Sequence, residues 1–386
     1  MTREIAIVGA GPVGSLLALR AIEEGLRPVV LERRAGARPG SRSIGVHPPG
    51  LEVLARLGLA ERFLERGVRV RRGIAVGEDG EIGTIGFDGL PGPHRFVLTI
   101  AQEDTESILA QALAARAPGA LCAGAEVIGI TAGERAVVVR VREGDREREL
   151  EVAALVGCDG KHSAVRRALG VAFEGGAYEG RYAMGDFPDT THFREDAAVF
   201  LTREGLVESF PLPGGLRRWV VRRASDAGGS DDAPGLDELV ETVRRRTGHV
   251  LPRDEARAHS GFRAEHFLAG KLAVGRVALA GDAAHVVSPI GGQGMNLGWL
   301  GASRLATMLA RALREGRDPS RALALDASWR RRHARAAARR AELNMWIGRP
   351  TTSPDRREKV VRALLTPPCA GVLARMFTMR GLSAGF

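Results

Sequence analysis

A charged start gives way at residues 3–8 (REIAIV) to a short apolar run, followed by GAGPVG, an Ala/Leu-rich stretch with helical spacing to Gly25, and a second apolar run, PVVLE. That succession predicts strand, glycine turn, helix and strand, one βαβ unit. From Ala35 to Pro49 (AGARPGSRSIGVHPP) the chain is too polar and too broken by Gly and Pro for regular structure; it reads as a loop at the carboxyl edge of the first strand, ending at a helix over LEVLARLG. Short alternating segments between about Arg69 and Thr99 predict antiparallel strands. Asp104 to Ala115 (DTESILAQALAA) has helical spacing behind a capping residue, and β-rich sequence follows to Cys158. Between Ala177 and Arg222 the strands lengthen, carry interior aromatics and turn sharply at PLPGG, the pattern of a second, mostly β lobe. An amphipathic helix near Leu236–Arg246, a strand at RVALAGD and then helices complete the chain.

Composition narrows the class without naming a function. With 386 residues, 44% hydrophobic and 26% charged, the chain can bury a large core and has the balance of an ordinary soluble protein. No apolar run approaches the roughly 18 residues of a membrane span, and no signal-peptide pattern follows Met1, so a cytoplasmic protein is expected. Cys122, Cys158 and Cys369 form no CxxC pair, which argues against a disulfide framework or a zinc site. The net charge of +10 raises nucleic acid as a partner. The basic residues, however, are scattered, and almost all are Arg, so no nucleic-acid partner is expected. The densest run, Trp329 to Arg340, predicts a helix with solvated guanidinium groups.

Gly9, Gly11 and Gly14, with Pro12 and Val13 between them, have the spacing at which a strand turns tightly into a helix and lets backbone amides approach a pyrophosphate. Glu32 closes the second strand, where a carboxylate accepts hydrogen bonds from ribose hydroxyls and disfavours a 2′-phosphate, so a tightly bound NAD- or FAD-like ligand is expected. The motif does not choose between them, because both contain the same ADP half. Gly275–Gly298 (GRVALAGDAAHVVSPIGGQGMNLG) carries the choice: Asp282 ends a strand, where it can accept a hydrogen bond from a polyol chain. Gly291, Gly292 and Gly294 allow backbone to approach a planar ring, at the positive end of the next helix. A plain turn with Asp282 as a helix cap is the alternative.

GAGPVG with Glu32, the GCDGKHSAVRRALG stretch from Gly157 to Gly170, and the Gly281-Asp282 loop with Pro289 together resemble the class A flavoprotein monooxygenases, the para-hydroxybenzoate hydroxylase-like group, over nearly the whole chain. The resemblance implies an α/β fold. Residues 1–70, 100–173 and 265–330 would form a discontinuous Rossmann-like FAD-binding domain with a central parallel sheet, residues 71–99 and 174–264 an inserted, mostly β substrate-binding domain, and residues 331–386 a C-terminal helical region. It also implies that Arg33 lies by the adenosine, Arg42 by the pyrophosphate or flavin edge, Gln102 by the ribityl chain and Val127 by the adenine. Asp159, Gly160 and Ser163 would serve cofactor binding with Arg166 bracing the fold, and Asn296 and Leu297 would meet the flavin's pyrimidine edge. The family often has an Arg just before the Gln102 position, where this chain has Thr99, Ile100 and Ala101.

The reaction implied is hydroxylation of a small aromatic, phenolic or polyketide-like molecule, with FAD bound, NADH or NADPH as a transient reductant, and O2 activated as a flavin hydroperoxide. His47, in the loop the family sets beside the flavin, is either an aid to substrate deprotonation or a loop hydrogen-bonding residue; His285 is part of the flavin loop. Phe200, Phe210, Leu212 and Trp219 are candidates for an apolar substrate wall or for lobe core, and Tyr178 and Tyr182 lie at the lobe's entrance. A monomer or homodimer is expected. The rival readings are a flavin-dependent reductase of isoprenoid double bonds, a flavin halogenase (disfavoured for want of a GWxWxIP-like segment), and a non-catalytic flavoprotein or nucleic-acid binder.

Overall fold

The computed structural model describes residues 4–36, 43–223 and 235–382. Its nucleotide half is built on a six-stranded sheet in the order Ala273–Val274, Val277–Leu279, Ala154–Gly157, Ile5–Val8, Pro28–Glu32, Leu121–Ala123, parallel except at the first pair. All four residues of Ile5–Val8 are buried, as a central strand covered on both faces requires. Alternation sends Ile5, Ile7 and Val30 towards the core shared with the long helices, and Ala6, Val8, Val29 and Leu31 towards the antiparallel strands Ala125–Ala132, Val137–Glu143 and Arg146–Val152. The helices on the first face are Pro12–Glu23, Gln102–Arg116 and Gln293–Arg314.

The other half is an eight-stranded sheet, in the order His285–Val286, Ala258–Ala269, Phe173–Pro188, Leu216–Arg222, Gly205–Leu212, Ala197–Thr202, Arg72–Val76, Glu81–Gly86. The tight turn expected at PLPGG joins Gly205–Leu212 to Leu216–Arg222. One face, carrying Ala183, Phe187, Phe200, Val207, Trp219 and Val221, packs under the helix Leu236–Thr247. The opposite face carries Tyr182, Met184, Leu201, Leu206 and Val220 and packs against Ile290, Met345 and Val361. Ile290 belongs to the glycine loop, so the second face is turned towards the nucleotide half.

Several elements differ from the sequence expectation. The helix expected from Asp104 begins at Gln102, and Asp104 lies in its first turn rather than at its cap. Val97–Thr99 pairs with Gly45–Val46 and Val68–Val70 in a small three-stranded sheet apart from the large one. The boundary expected at 330/331 falls inside the 29-residue helix Pro319–Ile347, because its buried stripe, Leu323, Ala334, Ala337, Ala341, runs across that point into one core. That helix is not a uniformly solvated basic face either. Arg330 is buried, bonded to Asp326 (2.5 Å) and to the Leu279 carbonyl, and Arg331 donates to the Ala269 and Gly270 carbonyls, so these guanidinium groups fasten the helix to the sheet. Among the described residues no single helix is long and apolar enough to cross a membrane.

Candidate active site

The glycine turn is held by contacts that leave no room for side chains. A Cβ on Gly14 would lie 1.9 Å from the Gly9 carbonyl oxygen, and Gly9 itself has a φ of 100° against the Cys158 carbonyl. The strand can therefore turn into the helix only with glycine at both places. Gly11 differs: nothing in the protein comes within 4 Å of where its Cβ would be, so backbone is exposed to an approaching group at the first turn of Pro12–Glu23. Glu32 reaches back to this turn, accepting from the Ala10 amide (2.9 Å) and from the Arg34 amide and Nε (3.1 and 3.0 Å). Burial opposes its ionisation, but these bonds and the Arg34 charge outweigh it and hold the carboxyl below its usual range. Arg33 lines a nearby cleft of about 330 Å³ with Arg34, Gly124, Glu126, Arg142 and Gly144; Val127 is the next residue of that strand.

Val13 joins the two glycine-rich motifs. Cβ atoms on Gly298 and Gly281 would fall 2.5 and 3.1 Å from its Cγ2, so the valine is clasped between the loop carrying Asp282 and the helix Gln293–Arg314. Trp299 adds a hydrogen bond from Nε1 to the Pro12 carbonyl (3.0 Å). Asp282 and Pro289, in the same loop segment, are exposed.

The GCDG stretch is chiefly a brace. Asp159 Oδ2 accepts from the Ala164 and Val165 amides (2.6 and 3.2 Å), Ser163 caps the helix Ala164–Ala168 through the Arg166 amide, and Arg166 donates to the Ala283 carbonyl (3.0 Å) while its guanidinium lies 3.7 Å over Phe173. Gly160 has a φ of 79° and open space at its Cβ position.

Asn296 is engaged by three hydrogen bonds within the protein. Its side-chain oxygen accepts from the His47 amide (2.8 Å), and its nitrogen donates to the Gly45 and Gly292 carbonyls (2.9 and 3.1 Å). The side-chain amide thus ties the 45–47 loop to the glycine loop. Leu297 is buried in the adjoining core. His47 is fully enclosed: burial pushes its imidazole down to about 4, against hydrogen bonding with the Gly291, Gly292 and Phe377 backbones, and the ring is neutral at neutral pH. His285 is likewise driven down to about 4 by burial and by the Arg330 charge. Gln102 accepts from the Ser43 amide (3.2 Å) and donates to Glu106 (2.8 Å). Arg42 lies outside the described residues.

The four expected pocket residues separate. Phe200 and Trp219 stack with centroids 6.0 Å apart on the sheet face under Leu236–Thr247, away from the glycine loop; they are lobe core. Strand alternation turns Phe210 and Leu212 to the opposite face, the one that meets Ile290. Tyr182 is on that face too, stacked on Phe262 (5.2 Å), while Tyr178 donates to Glu342 (3.3 Å). Sequence reading missed Glu208, a buried acid on the Phe210 face. Its one signal was an acidic residue within the apolar i, i+2 series Leu206, Phe210, Leu212. It also missed Asn344, whose amide nitrogen would lie 3.0 Å from a Cβ on Gly291, and Phe377, whose backbone reaches His47; nothing in their surroundings in sequence marks them.

The residues present fit a flavin dinucleotide. Backbone is open at Gly11, Gly160 and Gly294, and Asp159 Oδ1, Gln293 Oε1 and His47 Nδ1 are buried with no protein partner around the same junction.

A family model described as FAD binding domain matches residues 2–341. The rifampicin monooxygenase of Streptomyces venezuelae is 35% identical over 311 residues, covering 80% of this chain and 64% of that protein. The 6-methylpretetramide 4-monooxygenase of Streptomyces rimosus is 34% identical over 324 residues, 81% of this chain and 56% of its own length. The chain thus spans somewhat under two thirds of these relatives. Among solved structures, the p-nitrophenol 4-monooxygenase of Pseudomonas putida DLL-E4 superimposes with a TM-score of 0.88 at 23% identity, over 99% of this chain and 98% of that one, a likeness of fold. The anhydrotetracycline hydroxylase of Streptomyces rimosus gives 0.79 at 27% identity, over 98% and 76%. With its glycine turn, its clasped Val13 and its Asp282 loop in the arrangement those motifs require, the chain belongs to the FAD-binding-domain family of class A flavoprotein monooxygenases.

Proposed function

We propose that this chain is an FAD-dependent monooxygenase that hydroxylates a small aromatic, phenolic or polyketide-like substrate with NADH or NADPH and O2. The observation that carries the reading is the junction at Val13, which locks a dinucleotide-type glycine turn to a second glycine loop lying under an apolar sheet face. The names of the relatives, monooxygenases of rifampicin and of a pretetramide, favour the same substrate class.

In this reading Gly9, Gly11, Pro12, Val13 and Gly14 form the pyrophosphate turn, with Glu32, Arg33 and Val127 at the adenosine end. Gln102, Asp159, Gly160 and Asp282 serve the polyol and phosphate region, and Pro289, Gly291, Gly292 and the backbone at Asn296 and Leu297 border the ring. Residues 1–70, 100–173 and 265–330 hold the cofactor, and 71–99 with 174–264 supply the substrate wall. When bound, FAD supplies the two-electron chemistry that activates oxygen and passes one oxygen atom to the substrate. The chain's own residues orient and exclude. The amino end of Gln293–Arg314 carries positive dipole at the loop. Neutral His47 acts through the loop it joins to Gly291 and Gly292 rather than as a base near neutral pH, and Phe210 and Leu212 keep water from the substrate side. A cytoplasmic setting belongs to the same reading and agrees with three free cysteines.

The test is a visible spectrum of the purified protein, then oxygen uptake with NADH or NADPH across a panel of phenols and aromatic polyketides. Yellow protein, aromatic-stimulated uptake and an oxygenated product are expected, with flavin lost from Asp282→Ala. Protein that stays colourless after incubation with FAD overturns the reading. Bound flavin with oxygen-independent reduction of a double bond replaces it with the reductase.

A further inference from the structure

Glu208 is a carboxyl group in the middle of an apolar surface. Cross-strand pairing sets it between Val199 and Val220, and its own strand sets Leu206 and Phe210 on either side of it on the same face. That face packs against Ile290 of the glycine loop. Both ends of the strand are anchored to the cofactor loops. The Leu206 amide donates to the Gly348 carbonyl, one turn beyond Asn344 at Gly291, and the Thr99 hydroxyl donates to the Pro211 carbonyl (2.6 Å), Thr99 being paired with Gly45 beside His47 and Gly292. Glu208 lies between these anchors. It is buried, with 7% of its surface exposed, and burial alone accounts for its carboxyl being raised to about 7; no hydrogen bond or ion pair offsets the cost.

A buried acid without a protein partner is expensive, and one on the wall facing a cofactor loop is suited to a ligand. We infer that Glu208 is the substrate-binding acid on this sheet face, accepting a hydrogen bond from the ring hydroxyl of a phenolic substrate. The inference rests on the proposed function for its substrate class. As that hydroxyl ionises, its O–H bond breaks, the proton passes to the Glu208 carboxylate oxygen, and the electron pair stays on the substrate as phenolate, which enriches the ring that is to be oxygenated.

The charged and titratable groups around it are few. Tyr182 and Asp186 share its face on Phe173–Pro188, and Arg218 and Arg222 on Leu216–Arg222, one pair to either side of Val220; Arg222 and Arg349 act on Tyr182, and none of these charges moves Glu208. Tyr182 is raised to about 12 by burial, His47 is lowered to about 4, and Asp186 is engaged by Arg218 through two bonds (2.6 and 2.7 Å). Glu208 is thus the group placed to titrate near neutrality.

The experiment uses oxidised FAD-loaded enzyme without reductant, titrated with 1-naphthol and 4-cresol from about pH 6 to about pH 8, binding being read from perturbation of the flavin spectrum. Both hydroxyls stay protonated over that range, as phenols with a pKa near that of Tyr (about 10) do. In the wild type, affinity should rise about tenfold as pH passes through about 7, because the ionised carboxylate makes the stronger, charge-assisted bond. Glu208→Gln should hold the same FAD and bind at the weak level at every pH, while Glu208→Asp keeps the pH dependence. A pH dependence unchanged in Glu208→Gln, or no pH dependence in the wild type, overturns the assignment. Oxygen uptake is scored separately: its absence in an enzyme that shows the Glu208-dependent binding removes the monooxygenase reading and leaves the binding acid standing.

Discussion

Gly298→Ala puts the junction between the two glycine motifs under load. The added Cβ would meet Val13 Cγ2 at 2.5 Å, where an ordinary carbon contact is roughly 3.5–4.0 Å, so about 1 Å must be found. Val13 is β-branched and lies in the first turn of a helix, where χ1 has one strongly preferred setting. On its other side it meets Gly281, at φ 58°, so the methyl cannot simply swing away. Overpacking of this kind costs about 1–3 kcal/mol. Against it stands the gain of about 1 kcal/mol for replacing glycine inside a helix, leaving a net loss on the order of 1 kcal/mol. Val13→Ala alone should cost about 1 kcal/mol in lost burial. In the double variant the clash is gone and the helix gain remains, so the pair should be close to neutral, a favourable coupling of about 2 kcal/mol. Urea unfolding of the four proteins of the cycle, read by tryptophan fluorescence, measures this. Additive effects within about 0.5 kcal/mol would refute the clasp, since residues not in contact add within that margin. FAD titration of the same proteins should show weaker binding in Gly298→Ala and recovery in the double variant.

Glu208→Gln should stabilise the unliganded protein at high pH. Glu208 is raised from 4.5 to about 7 on folding, so the folded state resists its ionisation; the cost is absent below 4.5, grows between the two values and is complete above about 7. The shift corresponds to about 3 kcal/mol, and a melting difference that does not widen from about pH 5 to about pH 8 would sink the argument. His47 and His285 act in the opposite range. Both fall from 6.5 to about 4, so the unfolded chain takes up protons first and stability present above 6.5 is lost as pH drops towards 4. Urea midpoints should decline over that interval, by less in a His285→Gln variant; midpoints flat from about pH 7 to about pH 4.5 would contradict the burial of both rings.

The nucleotide half was readable because its signals are local. A strand, a turn and a helix within thirty residues leave their periods and glycines in one window, and Gly275–Gly298 does the same. The long-range choices were not readable in that way. Phe200 and Trp219 share an apolar alternation with the residues on the other face of their sheet, and only the position of the helix Leu236–Thr247 decides that theirs is the covered side. Asn296 stands where a cofactor contact is expected, and its commitment to His47, Gly45 and Gly292 depends on a loop about 250 residues earlier in the chain. Asn344 and Phe377 come to the loop from helices whose own sequences carry only helical spacing. The charge density of Trp329–Arg340 predicts a solvated face because the partners of its guanidinium groups are remote in sequence; Arg330 and Arg331 satisfy carbonyls at the ends of strands Val277–Leu279 and Ala258–Ala269.

The glycines of the two motifs do two different jobs, and the structure separates them. Gly9, Gly14, Gly281 and Gly298 are glycines because protein atoms occupy the space a side chain would need, or because the backbone has a positive φ; their substitution acts first on the fold. Gly11 and Gly294 have nothing within 4 Å of the missing Cβ, and Gly11 has an ordinary extended φ of −68°. Neither is required by the protein's own packing, and their backbone is left open. The first set builds the junction and brings the two loops together; the second leaves those loops bare at the surface so formed. Under the proposed reading the bare backbone at Gly11 and Gly294 lies against FAD, so Gly11→Ala should weaken FAD binding with the urea midpoint unchanged, whereas Gly14→Ala should lower the midpoint; equal effects on both readouts would refute the division.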